Sequence, residues 1–173
     1  MLQTARLRLR PLLPAEADVL HALWSERDDP RLPPHRRLDA SGRPTAAELA
    51  ESIRTDSVWS AGPDGVGLLA VERRAEGDVI GYCGLVASGR GEEGEPEIAF
   101  ELLRRVHGQG YATEAALAVV EHARASGHGR LWATVWDWNA PSRRVLAKLG
   151  FTETDRTETV PGRGTTIWTV LDL

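Results

Sequence analysis

The sequence predicts an α+β domain with a mixed, mostly antiparallel sheet, and three observations carry that prediction. Short segments alternate apolar and polar residues with the period of a half-buried strand. Two pairs of these segments are joined by turn chemistry and read as antiparallel hairpins. One pair is instead separated by an amphipathic helical run, which requires a crossover between parallel strands. Taken in order the elements read β, α, α, β, β, β, α, β, α, β, β, about seven strands flanked by about four helices in one domain over residues 1–173.

Thr4, Arg6, Arg8 and Arg10 alternate with Ala5, Leu7 and Leu9, predicting a first strand over 4–10 that Pro11 and Pro14 end. From Pro14, the run PAEADVLHALWSERD places Val19, Leu20, Leu23 and Trp24 on one helical face, with acidic residues in the first turn. The proline-rich stretch DDPRLPPHRRLDASGRP, residues 28–44, is long enough to act as a lid over a substrate. Thr45-Ala46-Ala47-Glu48 is a capping box that opens a second helix, with Leu49 and Ile53 stacked at i and i+4. GLLAVER and DVIGYCGLVA form the first hairpin, and EIAFELL follows a polar, glycine-rich loop. The third helix repeats Ala116, Val119, Val120 and Ala123 at i, i+3, i+4 and i+7, and Gly127 ends it. RLWATVWDW is a strand, SRRVLAKLG a short helix stopped by Gly150, and FTETDRTETV with TTIWTVLDL closes the chain as a hairpin around Pro161-Gly162.

Composition excludes several classes of function. At 173 residues with 42% hydrophobic residues the chain can bury one sizeable core. A net charge of −4 and a pI near 5.8 offer no basic footprint for nucleic acid. The single cysteine, Cys83, rules out an internal disulfide and a multi-cysteine metal site, and the five histidines show no ligand spacing, so no metal is expected. No apolar run approaches the roughly 18 residues of a membrane span, and the first ten residues alternate instead of forming an apolar leader. A soluble, cytoplasmic protein with no membrane or nucleic-acid partner is the expectation.

The stretch RRVHGQGYATEA, Arg104 to Ala115, places two glycines where the third helix starts. A helix N-terminus presents unpaired N–H groups and the positive end of a dipole, and glycines there let an anion reach the backbone. A tight turn needing positive φ reads the same two residues equally well. A P-loop would require Gly-Lys-Ser/Thr, which the chain lacks, and Thr113 stands where a dinucleotide fingerprint wants its last small residue.

Arg105-x-x-Gly108-x-Gly110 followed by Tyr-Ala-Thr-Glu-Ala resembles the acyl-CoA pyrophosphate loop of the GNAT N-acetyltransferase superfamily. Asn139-Ala-Pro-Ser142, continuing to Lys148-Leu-Gly150-Phe151, is similar to its second signature. Thr4-x-Arg-Leu-x-Leu-Arg10 and Ile80-Gly81-Tyr-x-Gly84-Leu85 resemble the branch of the ribosomal-protein N-terminal acetyltransferases (RimJ/RimL-like). The resemblance implies the GNAT fold, with a splayed strand pair holding acetyl-CoA. It assigns the pyrophosphate to the segment Arg104, Arg105, Val106, His107, Gly108, Gln109, Gly110, Tyr111 and Ala112. It assigns the pantetheine arm to Phe100 and Leu102, and the thioester end to Asn139 and Ser142. Helix capping is the alternative role for Asn139. A homodimer is a further possibility that the family raises.

Such a protein moves the acetyl group to a primary amine, a protein N-terminal α-amine or a small-molecule amine, by direct attack in a ternary complex. The amine is mostly protonated at neutral pH, with reference pKa values of about 8 and 10.4, so a base is needed. Glu97 and Glu101 on the splayed strand, and Glu153 or Glu158 after Phe151, are the candidates, with Glu97 first and Glu158 second. Many members place a tyrosine acid where this chain has Leu146, so Ser142 becomes the expected donor to the departing sulfur. The missing tyrosine also admits a non-catalytic acyl-CoA-binding domain of the same fold. Trp132, Trp136 and Trp138 share a strand face and are expected to line the core or the acceptor pocket.

Overall fold

Eight strands form one sheet among the described residues of a computed structural model, which are 1–27, 44–59, 62, 64–87, 89, 91, 92 and 94–173. They are β1 (Leu2–Gln3), β2 (Leu7–Pro11), β3 (Gly67–Arg73), β4 (Val79–Val86), β5 (Glu97–Leu102), β6 (Arg130–Trp136), β7 (Thr152–Val160) and β8 (Gly164–Asp172). Their order is β1-β2-β3-β4-β5-β6-β8-β7, and every neighbouring pair is antiparallel except β5 and β6. The helices are α1 (Ala17–Ser25), α2 (Ala46–Thr55), α3 (Tyr111–Ala125) and α4 (Ala140–Leu149). The architecture is the expected one with one more strand. The proline-rich segment read as a lid lies, apart from Pro44, outside the described residues.

The predicted 4–10 strand begins only at Leu7, because a turn at Thr4 takes its first residues, and the additional strand is Leu2–Gln3, which that turn folds back onto β2. Thr4 N–H donates to the Leu7 carbonyl at 2.9 Å, and Leu7 N–H donates to Thr4 Oγ1 at 2.9 Å. A short hydroxyl side chain that bonds its own backbone neighbourhood competes with the ladder in this way. Pro14 likewise opens a 3₁₀ turn over Pro14–Glu16 before α1 begins. The Thr45–Glu48 capping box is formed, with Glu48 N–H on Thr45 Oγ1 at 3.2 Å and Thr45 N–H on Glu48 Oε2 at 2.7 Å.

Helices cover both faces of the central strands, and each face has its own core. On one side Leu69, Val71, Ile98 and Leu131 pack with Ala116, Val119 and Val120 of α3 and Leu146 and Leu149 of α4. On the other, Leu68, Ala70 and Leu103 pack with Leu20 and Leu23 of α1 and Leu49 and Ile53 of α2. This explains why β3 reads as a nearly unbroken apolar run: both sets of alternating side chains are buried. β7, at the sheet edge, is mostly exposed and correspondingly rich in Thr and Glu.

The turn at Thr4 is tied to the start of α3. Glu114 Oε1 accepts from Thr4 Oγ1 at 2.6 Å and from Arg6 N–H at 2.9 Å, while Arg6 Nε donates to Oε2 at 2.7 Å. Arg6 Nη1 also donates to the Gln109 carbonyl at 3.0 Å, and its guanidinium lies 4.4 Å from the Tyr111 ring centre. Burial alone would raise the Glu114 carboxyl, but the bonds from Thr4 and Arg6 outweigh it and hold the group below the usual carboxylate range. A depressed folded-state pKa contributes stability that is present above the unfolded value, about 4.3, and is lost as pH falls through the folded one. Glu114→Ala should therefore cost about 1–2 kcal/mol near pH 7 in denaturant titrations. The difference from wild type should shrink as the pH drops below about 4.

Candidate active site

β5 and β6 make one rung and then part. Glu97 pairs with Trp132, Trp132 N–H donates to the Pro96 carbonyl at 3.0 Å, and no later residue of β5 is in register with β6. Each strand remains fully paired on its outer side, β5 to β4 and β6 to β8. A cavity of about 1280 Å³ opens at the parting. Leu103 N–H donates to Ile80 of β4, so by alternation the Ile98 carbonyl and the backbone groups of Phe100 and Leu102 face the gap beyond that rung. Phe100 and Leu102, the residues the resemblance assigns to the pantetheine arm, line the cavity.

The glycine loop closes one end of this cavity. Val106 and His107 direct their N–H groups back to Leu103 and Arg104 in a 3₁₀ turn, at 3.1 and 3.0 Å. From Gly108 to Thr113, by contrast, no N–H has a hydrogen-bond partner among the described residues. Gly108 and Gly110 have φ of +75° and +84°, and Gly110 is the N-cap of α3. The turn thus needs left-handed backbone at both glycines, and it leaves the row of N–H groups that follows without partners among the described residues. Val106, His107, Gly108, Gly110, Tyr111 and Ala112 line the cavity.

The charged and polar side chains of the loop turn elsewhere. Arg105 pairs with Asp78 at 2.8 Å, and Arg104 lines the cavity while its guanidinium donates to the Glu26 carbonyl. Gln109 Nε2 reaches the Arg105 carbonyl at 3.3 Å, and the His107 ring lies 2.7 Å from the Leu102 carbonyl oxygen. The anion-binding capacity of this loop thus resides in its backbone. These partners, distant in sequence or set by the turn itself, left no signal that the sequence reading could use.

The carboxylates sort by partner. Glu101 is held by Tyr82 Oη at 2.8 Å and by a two-point contact with Arg27. Glu153 pairs with Arg143 at 2.7 Å. Glu97, only 7% exposed, accepts at Oε1 from Thr134 N–H at 2.9 Å and from Thr134 Oγ1 at 2.5 Å. Glu158 has no ion-pair partner among the described residues, and both Glu97 and Glu158 line the cavity. Asn139 caps α4, its Oδ1 accepting from Ser142 N–H at 3.3 Å, and also lines the cavity. The Ser142 hydroxyl has no hydrogen-bond partner among the described residues. Leu146 is buried in the core.

Aromatic rings form the remaining wall. Trp136 and Trp138 stack at 6.0 Å and line the cavity with Trp24, Trp59, Tyr82 and Trp168. Trp132 does not, because its Nε1 donates to Glu95 at 2.5 Å outside the cavity. Cys83 is fully buried in β4, where desolvation pushes its thiol well above the ordinary range, as suits a small core residue. No cluster of three or more potential metal ligands occurs among the described residues, and no described helix is long and apolar enough to cross a membrane.

The family model for the acetyltransferase (GNAT) domain matches residues 6–152. The chain belongs to the GNAT acetyltransferase family. It is 28% identical over 151 residues to the uncharacterised N-acetyltransferase p20 of Bacillus licheniformis, covering 87% of this chain and 81% of that one. It is 33% identical over 87 residues to YkkB of Bacillus subtilis, a match spanning 50% of this chain and 51% of that protein. Among solved structures, a GNAT acetyltransferase from Bacillus anthracis superposes with a TM-score of 0.77 at 19% identity, covering 99% of this chain and 97% of its own. A Vibrio cholerae protein described as a ribosomal-protein-serine acetyltransferase gives 0.73 at 17%, covering 99% and 97%. Salmonella typhimurium yncA, solved with its cofactor acetyl-CoA, gives 0.69 at 19%, covering 96% and 94%. At these identities the superpositions show the shared fold.

GNAT acetyltransferases use acetyl-CoA, and the residues present fit it. Six consecutive N–H groups from Gly108 to Thr113, without a partner among the described residues, suit a pyrophosphate, and the gap between β5 and β6 suits an extended arm that can hydrogen-bond along a strand. Titration calorimetry should find that Gly110→Asp loses at least a hundredfold in acetyl-CoA affinity. Gly110→Ala should lose less, roughly thirtyfold at most, reflecting only the about 1–2 kcal/mol of left-handed backbone strain. Equal losses would show that strain, not charge, sets the effect.

Proposed function

We propose that the protein transfers the acetyl group of acetyl-CoA to a primary amine by direct attack in a ternary complex. The observation that carries this reading is the parting of β5 and β6 between a free N–H cradle on one side and a cavity-facing Ser142 on the other. The acceptor amine enters from the aromatic side of the cavity, where Trp136, Trp138 and Trp168 provide flat apolar walls and Glu158 a carboxylate. The branch motifs and the Vibrio cholerae neighbour support a protein N-terminal α-amine as one acceptor; a small-molecule amine suits the same walls.

Glu97 is the base. Thr134 holds its Oε1, which leaves Oε2 to take the proton from the amine directly or through a water. The neutral nitrogen then attacks the carbonyl carbon, and the new C–N bond replaces the C–S bond. Phe100 N–H, facing the gap, stabilises the negative oxygen, and Ser142 Oγ donates a hydrogen bond to the departing sulfur. Glu158 is the second candidate for the base.

Ser142→Ala is expected to lower turnover at least tenfold while acetyl-CoA affinity stays within about twofold, a loss of about 1.4 kcal/mol or more confined to the transition state. In pH-rate profiles over an amine panel, Glu97→Gln should lose the ascending limb that reports the base. If Glu158→Gln loses it instead, the assignment passes to Glu158, and if neither does, both fall. Acetyl-CoA binding without thiol release on any amine would point to a non-catalytic acyl-CoA-binding domain.

A further inference from the structure

We infer that the Glu97 carboxylate is the wedge that parts β5 from β6, and that Thr134 is the positioning residue that holds the wedge in place. The inference rests on reading the cavity as the acetyl-CoA site. It gives Glu97 a role that precedes any chemistry: making the gap into which the cofactor fits.

The register fixes the geometry. In a parallel ladder the bonds run in even steps, so after Trp132 N–H to Pro96 and Ile98 N–H to Trp132, which make the one rung formed, the next would be Thr134 N–H to Ile98, followed by Phe100 N–H to Thr134. The Thr134 N–H instead donates to Glu97 Oε1 at 2.9 Å, and the Thr134 hydroxyl closes on the same oxygen at 2.5 Å. Glu97 stands opposite Trp132, so its side chain reaches forward by one pleat repeat, roughly 7 Å, and occupies the position of the next rung. Trp132 and Thr134 lie on one face of β6, opposite the buried Leu131, Ala133 and Val135, which puts the Thr134 hydroxyl within reach of that carboxylate.

Neither strand is frayed. β5 keeps its register with β4 through Leu102, and β6 keeps its register with β8 through Trp136, so the separation is confined to the inner edge. A carboxylate this buried is costly unless it is hydrogen-bonded, and the two Thr134 donors supply that. Its presence in the ladder is thus stable only because it displaces a backbone bond.

Three variants test this by acetyl-CoA calorimetry and by amide hydrogen exchange of the free protein. Glu97→Gln keeps an oxygen acceptor and the shape of the wedge, so acetyl-CoA affinity should stay within about threefold and Phe100 amide exchange should not change. Glu97→Ala lets the ladder close, so affinity should fall at least tenfold and Phe100 exchange should slow at least tenfold. Thr134→Val should raise the KM for acetyl-CoA several-fold with a smaller change in kcat, and Thr134→Ser should restore it. Unchanged affinity in Glu97→Ala, or lost affinity without slower Phe100 exchange, would overturn the wedge. So would a Glu97→Gln variant that behaves like Glu97→Ala. Failure of the wild type to bind acetyl-CoA would instead remove the cofactor reading, and the Phe100 exchange comparison would still decide the wedge.

Discussion

Backbone groups in the middle of a sheet need partners, and this sheet withdraws them at one place. An unpaired buried N–H or carbonyl costs about 1–3 kcal/mol, so an interior strand pair that stops after one rung has to be open to something that can hydrogen-bond. The β5–α3–β6 crossover sets a helix start beside the opening, because the helix that connects two parallel strands starts at the end of the first one. The gap and the N–H cradle of α3 are therefore neighbours by topology, and a molecule with an extended amide-bearing arm and a doubly charged head matches both.

Charge around this opening is arranged mostly to hold backbone in place. Arg6 braces the loop from beneath through the Gln109 carbonyl and the Tyr111 ring, Arg104 anchors to Glu26, and Arg105 joins Asp78. With these cations occupied, an anion brought to the loop would meet a set of amide dipoles already fixed by the turn, which needs little reorganisation on binding. On the acceptor side Glu101 is likewise neutralised by Arg27 and Tyr82, whereas Glu97 and Glu158 line the cavity with no ion pair among the described residues.

Much of this was legible in the sequence because it is local. Strand and helix periodicities, the Thr45 capping box, the Gly108-x-Gly110 turn and the Asn139 cap depend on residues a few positions apart, and they occur where expected. What could not be read are pairings between residues far apart in the chain. Thr4 and Glu114 are 110 positions apart, Arg27 and Glu101 are 74, and Glu97 and Thr134 are 37. Pattern rules give Glu97, Glu101 and Glu153 the same status as glutamates in strand-like segments. Only the tertiary partners separate an ion-paired carboxylate from one inserted in a ladder. The later start of the first predicted strand has the same origin, since alternation in 4–10 is real but the Thr4 hydroxyl is bonded to Glu114 of α3.

The burial of the single cysteine has a use beyond packing. Cys83 sits in β4 between β3 and β5, wholly enclosed, on the strand that flanks the parted pair. A thiol reagent can reach it only when that part of the sheet opens, so its modification rate under native conditions is a clock for local unfolding next to the cofactor cleft. The chain thus carries a built-in reporter, without any engineered label, of how far occupancy of the cleft stiffens the strands around it.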